Sequence, residues 1–310
     1  MDKLSKIYVA GHTGMVGSAI VRKLEQEGYS RILKQTSSQL DLINQNEVDY
    51  WFSVYKPDYV FLAAAKVGGI MANKEHKADF IYQNLQIQNN IIHSSYKYGV
   101  RKLLFLGSSC IYPKFSNQPI KEDYLLSGGL EETNDAYAIA KIAGIKMCQS
   151  YNKQYGTDFI AVMPTNLFGK NDNYDLESSH VMAALIRKVH EAKLNNTSVD
   201  IWGTGTPKRE FLYVDELADA YYFLMNNYSG SDIINIGTGE DISIKDLAHL
   251  IAEVIGYNGD FCFQVDKPDG TPRKLLDVSK LKKLGWESKL NLKSAIELTY
   301  KQFLKDFSSE

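Results

Sequence analysis

The chain has 310 residues, 44% hydrophobic and 23% charged, an ordinary globular composition with room for one large unit and a smaller lobe. Basic side chains number 35 against 37 acidic ones, a net charge of −2, which argues against nucleic-acid and membrane-surface partners, since both leave a basic footprint. Met1 to Lys6 carries no secretory signal and no apolar run is long enough to span a bilayer. Cys110, Cys148 and Cys262 suit neither a disulfide framework nor a metal site, so a reducing cytoplasm and no metal are expected.

Ile7 to Ala10 reads as a buried strand, and Val16 to Glu27 as a helix ended by Gly28. A second strand follows at Ile32-Leu33, then a helix from Gln45 to Tyr55 that stops before Pro57. Tyr59 to Leu62 is a third strand, Ala78 to Tyr98 a long helix, and Lys102 to Leu106 a fourth strand. Tyr137 to Tyr155 is helical and capped by Gly156, and Phe159 to Met163 is a fifth strand. This alternation predicts an α/β fold with a doubly wound parallel sheet, a Rossmann arrangement, over residues 1–165. Beyond it, helices at Val181 to Leu194 and Ile244 to Ile255 stand among loops rich in Gly, Pro, Asn and Asp. Residues 166–310 are expected to form a smaller C-terminal substrate-binding lobe, with some segments returning to the first unit.

The first strand runs into Gly11-His12-Thr13-Gly14-Met15-Val16-Gly17. Glycines here allow a tight turn and a close backbone approach to a pyrophosphate, and the following helix start offers unpaired N–H groups. Set between strand and helix, the turn predicts a dinucleotide site. The ribose end reads Lys34-Gln35-Thr36-Ser37 with no carboxylate, which leans to NADP while NAD stays open. Two readings of Asp41 stand side by side, a contact to adenine and a cap on the next helix.

Tyr137 and Lys141 lie one helical turn apart on one face. An ammonium beside a phenol favours phenolate, so the pair can pass a proton to or from a carbinol oxygen during a redox step. Leu106-Gly107-Ser108-Ser109-Cys110 sits at the carboxyl end of the fourth strand, where hydroxyls can meet a substrate oxygen. Cys148 and Cys262 read as small buried hydrophobes.

Further stretches join these: Ala63 to Ile70, Leu106 to Pro113, Tyr137 to Gly144, Met163 to Leu167, Arg209 to Phe211, and Lys267 to Lys274. With the glycine turn they cover nearly the whole chain. Together they resemble the extended short-chain dehydrogenase/reductases, and among them the epimerase-reductases of GDP-4-keto-6-deoxymannose. The resemblance implies C3 and C5 epimerisation followed by NADPH-dependent reduction at C4 to give GDP-L-fucose. It makes Ser108, Tyr137 and Lys141 the reductase triad, and Cys110 and His180 the base and acid of epimerisation. On the cofactor side it implies the turn Gly11 to Gly17, Asp41, Leu106 to Ser109, Lys141, Pro164-Thr165-Asn166-Leu167 and His180. For the GDP-sugar it implies Lys188, with Arg187 beside it, and Trp202, Arg209, Asp269 and Lys274. It also implies a homodimer. Some relatives place arginines at the positions of Thr13 and Ser37 to grip the 2′-phosphate, and neither is present here.

Other functions compete with this one. A GDP-4-keto-6-deoxy-heptose reductase or epimerase would use the same elements. A 4,6-dehydratase would carry acidic residues where Ser109-Cys110 stand. A non-catalytic dinucleotide-sensing regulator would have no need of Tyr137, Lys141, Cys110 and His180 together.

Overall fold

Every residue of β1 (Ile7–Ala10) is buried, as befits a parallel strand covered on both faces. In the computed structural model, which describes residues 1–176, 178–267 and 269–307, this strand lies inside a six-stranded sheet. Pro268, within the stretch Lys267 to Lys274, lies outside the described residues. The chain continues through α1 (Met15–Gln26), β2 (Ile32–Leu33), α2 (Gln45–Tyr55), β3 (Tyr59–Leu62), α3 (Ile70–Glu75) and α4 (Lys77–Lys97). Then come β4 (Lys102–Leu106), α5 (Asp135–Tyr155) and β5 (Phe159–Pro164). All five expected strands form, within a residue of their expected bounds. The short α3 was not foreseen, because six residues are too few to display a helical period.

The second half begins with β6 (Asn166–Phe168), α6 (Val181–Asn195), β7 (Val199–Trp202), β8 (Lys208–Arg209), β9 (Phe211–Tyr213) and α7 (Val214–Asn227). It continues with β10 (Ile234–Ile236), β11 (Ile242–Ser243), α8 (Ile244–Ile255), β12 (Phe261–Gln264), β13 (Arg273–Lys274), α9 (Ser279–Leu284) and α10 (Leu292–Phe307). The main sheet has the order β10-β5-β4-β3-β1-β2 and is parallel throughout. Strand order reverses between β1 and β3, the place where open α/β sheets bind ligands at their carboxyl ends.

Among the described residues three apolar clusters hold the fold. Phe52, Ile91, Phe105 and Ile145 belong to the one beneath α2, α4 and α5, and Ile20, Leu24, Leu217 and Tyr221 to the one beneath α1 and α7. The third, with Ile186, Ile201, Ile251 and Phe303, joins α6, α8 and α10 to β7. Small sheets complete the structure: β11-β8-β13, β12-β7 and β6-β9. Cys148 is buried in α5, but Cys262 is exposed, which corrects the expectation for it. Among the described residues β12 pairs with β7 alone, and the register Cys262↔Asp200 puts the thiol on the outer face. No helix among the described residues is long and apolar enough to cross a membrane.

Candidate active site

Gly11 follows β1 with a φ of 84°, and a Cβ there would stand 2.9 Å from the backbone of Ala64, just past β3. The turn therefore lies in the crevice at the strand-order reversal. A Cβ on Gly17 would collide with the carbonyl of Gly11, so the helix can seat on the turn only with glycine there. Gly14 caps α1 without a side chain, and the first turn holds no acidic residue, which leaves N–H groups to an anion. His12 adds a buried Nδ1 with no partner. A dinucleotide pyrophosphate fits this cradle.

Nearby, Lys34 lies 3.7 Å from Glu25 and lowers the pKa of His12 by its charge, after burial, which lowers it more. Asp41 does not cap α2. Asn44 does so, accepting from the N–H groups of Asn46 and Glu47 at 3.1 and 3.4 Å, while Asp41 accepts from Ile43 at 3.0 Å. The capping reading of Asp41 is thus overturned.

Lys141 is 2% exposed, and its ammonium donates to the carbonyl of Leu106 at 2.8 Å. Gly144, on the next turn, makes that approach possible, because a Cβ there would collide with the Phe105 ring. The ammonium also lies 5.0 Å from the Phe105 ring centroid and 5.6 Å from that of Tyr137. Burial lowers its pKa to about 8. Tyr137 is half-buried and packs edge-on to Phe80, with centroids 6.4 Å apart. Burial raises its phenol pKa, so a neighbouring cation is what ionisation would need.

Past β4, Gly107 meets Met163 where a Cβ would clash. The chain then makes a 3₁₀ turn, Ser109–Ile111, in which the Ser108 oxygen accepts from the Cys110 N–H at 3.3 Å. The Ser108 hydroxyl also faces the Cys110 thiol as a hydrogen-bond partner. Cys110 is buried, which raises its thiol pKa, and Lys274, Ser108 and Lys141 pull it back. His180 occupies the N-cap position of α6 with no side-chain cap hydrogen bond; the residue is exposed, yet desolvation of its ring lowers its pKa, and the charge of Lys274 lowers it further. One cation, Lys274, therefore acts on both Cys110 and His180, although they are separated by 70 positions (180 − 110) in the chain.

Arg209 donates to the carbonyl of Lys208 at 2.8 Å. Arg209 and Lys274 are register partners on β8 and β13. Trp202 is 60% exposed at the end of β7. Asp269 accepts from the Thr204 N–H at 2.7 Å and its hydroxyl at 2.9 Å, so its carboxylate braces the Gly203-Thr204 turn. Lys188 donates to the carbonyl of Asp200 at 3.1 Å, whereas Arg187 is held by Glu191 and the carbonyl of Tyr174. Thr165 and Asn166 follow β5, and both side chains donate to the carbonyl of Glu210.

Three positioning contacts had no signal in the sequence. A Cβ on Gly69 would come 3.0 Å from the carbonyl of Ser178, so the Gly68-Gly69 segment supports the loop that presents His180. Asn84 clamps Lys66 by accepting from its N–H and donating to its carbonyl, each at 3.0 Å. Glu131 lies 3.6 Å from Lys114; burial lowers the pKa of Lys274, Cys110 raises it, Arg209 lowers it and Glu131 adds a smaller rise. Among the described residues no group of three or more His, Cys, Asp or Glu is placed to hold a metal.

The model of the NAD dependent epimerase/dehydratase family matches residues 7–237. GDP-L-fucose synthase 1 of Arabidopsis thaliana is 57% identical over 306 residues, covering 98% of this chain and 95% of that protein. GDP-L-fucose synthase of Escherichia coli (strain K12) is 51% identical over 311 residues, with 97% of each covered. Among solved structures, the GDP-mannoheptose C4 reductase from Campylobacter jejuni with NADP bound superposes with a TM-score of 0.90. It is 40% identical, over 98% of this chain and 99% of that one.

Proposed function

The chain belongs to the NAD dependent epimerase/dehydratase family and within it to the GDP-L-fucose synthases, and on that premise we propose that it converts GDP-4-keto-6-deoxy-D-mannose to GDP-L-fucose. The observation that supports this reading is that cations link the four side chains: Lys141 lies beside the Tyr137 ring, and Lys274 acts on both Cys110 and His180. Lys141 is bound at the end of β4, one helical turn from Tyr137.

Epimerisation comes first. A proton α to the C4 ketone is acidic because its loss gives an enolate, whose oxygen the hydroxyls of Ser108 and Tyr137 stabilise. Cys110 removes the proton and His180 returns one on the opposite face, so that C3 and then C5 invert. Inversion needs a group on each side, and the two candidates come from separate elements, Cys110 from the 3₁₀ turn after β4 and His180 from the start of α6. Reduction follows at C4. NADPH supplies the reducing equivalent when bound. Tyr137 gives its proton to the C4 oxygen, and the Lys141 ammonium stabilises the phenolate left behind.

The cradle Gly11 to Gly17, with Leu106 to Ser109 and Pro164 to Leu167, holds the dinucleotide. Arg209 and Lys274 meet the diphosphate, guanidinium forks being suited to phosphate oxygens, and Trp202 offers a face to the base. Residues 1–165 serve the cofactor and 166–310 mainly the GDP-sugar, with β10 adding to the first unit's sheet. The protein works as a homodimer in the cytoplasm, where its three free cysteines stay reduced.

Product formed in deuterated water from GDP-4-keto-6-deoxymannose and NADPH should carry deuterium at C3 and C5. NMR reads both positions, and a product labelled at neither removes the epimerase assignment.

A further inference from the structure

Glu210 takes no part in the chemistry above, yet among the described residues it is the one acidic side chain that is fully buried. It sits between β8 and β9, directly after Arg209. Its carboxylate accepts from the N–H of Gly239 at 2.7 Å, the N–H of Leu276 at 3.0 Å and the hydroxyl of Thr238 at 3.5 Å. Its main-chain carbonyl accepts from Asn166 at 2.8 Å and Thr165 at 3.2 Å. A Cβ on Gly237 would collide with the carboxylate, so glycine is needed there to admit it. No Lys, Arg or His among the described residues lies within ion-pairing distance of it. A buried carboxylate without a counter-ion is costly, and hydrogen bonds from backbone N–H groups are what offset that cost.

The places it grips give the arrangement a function. β8, β11 and β13 have two residues each, too few to hold a sheet in position by their own ladders. Glu210 binds Leu276, two residues past Lys274, and Gly239, three residues before β11. Its carbonyl ties the same sheet to Thr165 and Asn166 beyond β5. We propose that Glu210 is the positioning residue of the diphosphate end of the site: it bolts the small sheet bearing Arg209 and Lys274 to the cofactor-side strands. The proposal rests on the GDP-sugar reading given above.

Glu210→Gln keeps the size of the side chain but leaves one acceptor, with an amide NH₂ facing an N–H donor. Titration of the full chain with GDP by calorimetry should give a Kd weakened about tenfold in this variant, while the Kd for NADP⁺ stays within about twofold. In turnover, KM for the GDP-sugar should rise with kcat changed by less than about threefold. Thr238→Val, which removes the weakest of the three donors, should weaken GDP by about twofold to threefold and decides the matter if the glutamine variant does not fold. Unchanged GDP affinity in both folded variants, or equal weakening of GDP and NADP⁺, overturns the positioning role. Absence of GDP binding by the unaltered protein would instead overturn the nucleotide reading.

Discussion

The ammonium of Lys141 is bound to the main-chain oxygen of Leu106, at the tip of the strand that leads into Ser108 and Cys110. That contact fixes the cation between the phenol of Tyr137 on its own helix and the 3₁₀ turn on the neighbouring element. It also explains the need for glycine at position 144, which lets α5 lie close on Phe105. Strand end, hydroxyl, thiol and phenol are thereby arranged around one buried charge.

Tyr137→Phe removes the proton donor of the reduction and leaves the cradle for the cofactor intact. NADPH oxidation with the keto sugar should slow by about 10²-fold or more, while NADP⁺ binding by calorimetry stays near that of the unaltered protein. Near-normal oxidation would end the assignment of Tyr137.

The pH dependence of Lys141 runs in two directions. Its folded pKa is about 8, against about 10.4 for a lysine in an unfolded chain. Above about pH 8 the ammonium is lost, so the reduction rate at saturating substrates should fall as pH rises. Between these two values the unfolded chain holds more protons than the folded one, and the contribution of this residue to stability improves with rising pH. Lys141→Met should show neither trend beyond that of its background. Stopped-flow rates and denaturant titrations across pH 7 to 10 read both.

Cys110→Ser replaces a thiol with a hydroxyl that is a far weaker acid and so a far scarcer base. Exchange of the C3 and C5 protons with deuterated water should fall by about 10²-fold or more, and reduction of a sugar that is already epimerised should continue. His180→Asn should show the same split. Variants that lose exchange and reduction together would mark Cys110 and His180 as structural.

Gly17→Ala places a methyl group against the carbonyl of Gly11. The strain should lower the unfolding free energy by about 1–3 kcal/mol, and NADP⁺ should bind more weakly because the turn is displaced. Equal stability and affinity in the variant would show that the helix can seat elsewhere.

Much of the first unit was determined by sequence alone. β1, β3, β4 and β5 are short apolar runs that only a doubly covered parallel strand can bury, and the glycines at 11, 14 and 17 mark the turn after the first of them. That Tyr137 and Lys141 share a helix face was legible too, since residues four positions apart lie one above the other. Chemistry that is local in the chain leaves a local pattern. Tertiary structure decided the rest, because its causes lie far apart in sequence. Nothing about Cys110 or His180 reveals that Lys274 charges the space around both, or that Gly69 supports the loop before His180. Asn44 and not Asp41 caps α2, and Cys262 faces solvent, because turn geometry and pairing register settle which of several suitable residues is used. Two-residue strands such as β8 and β13 carry no period to read, and their place comes from contacts such as those of Glu210.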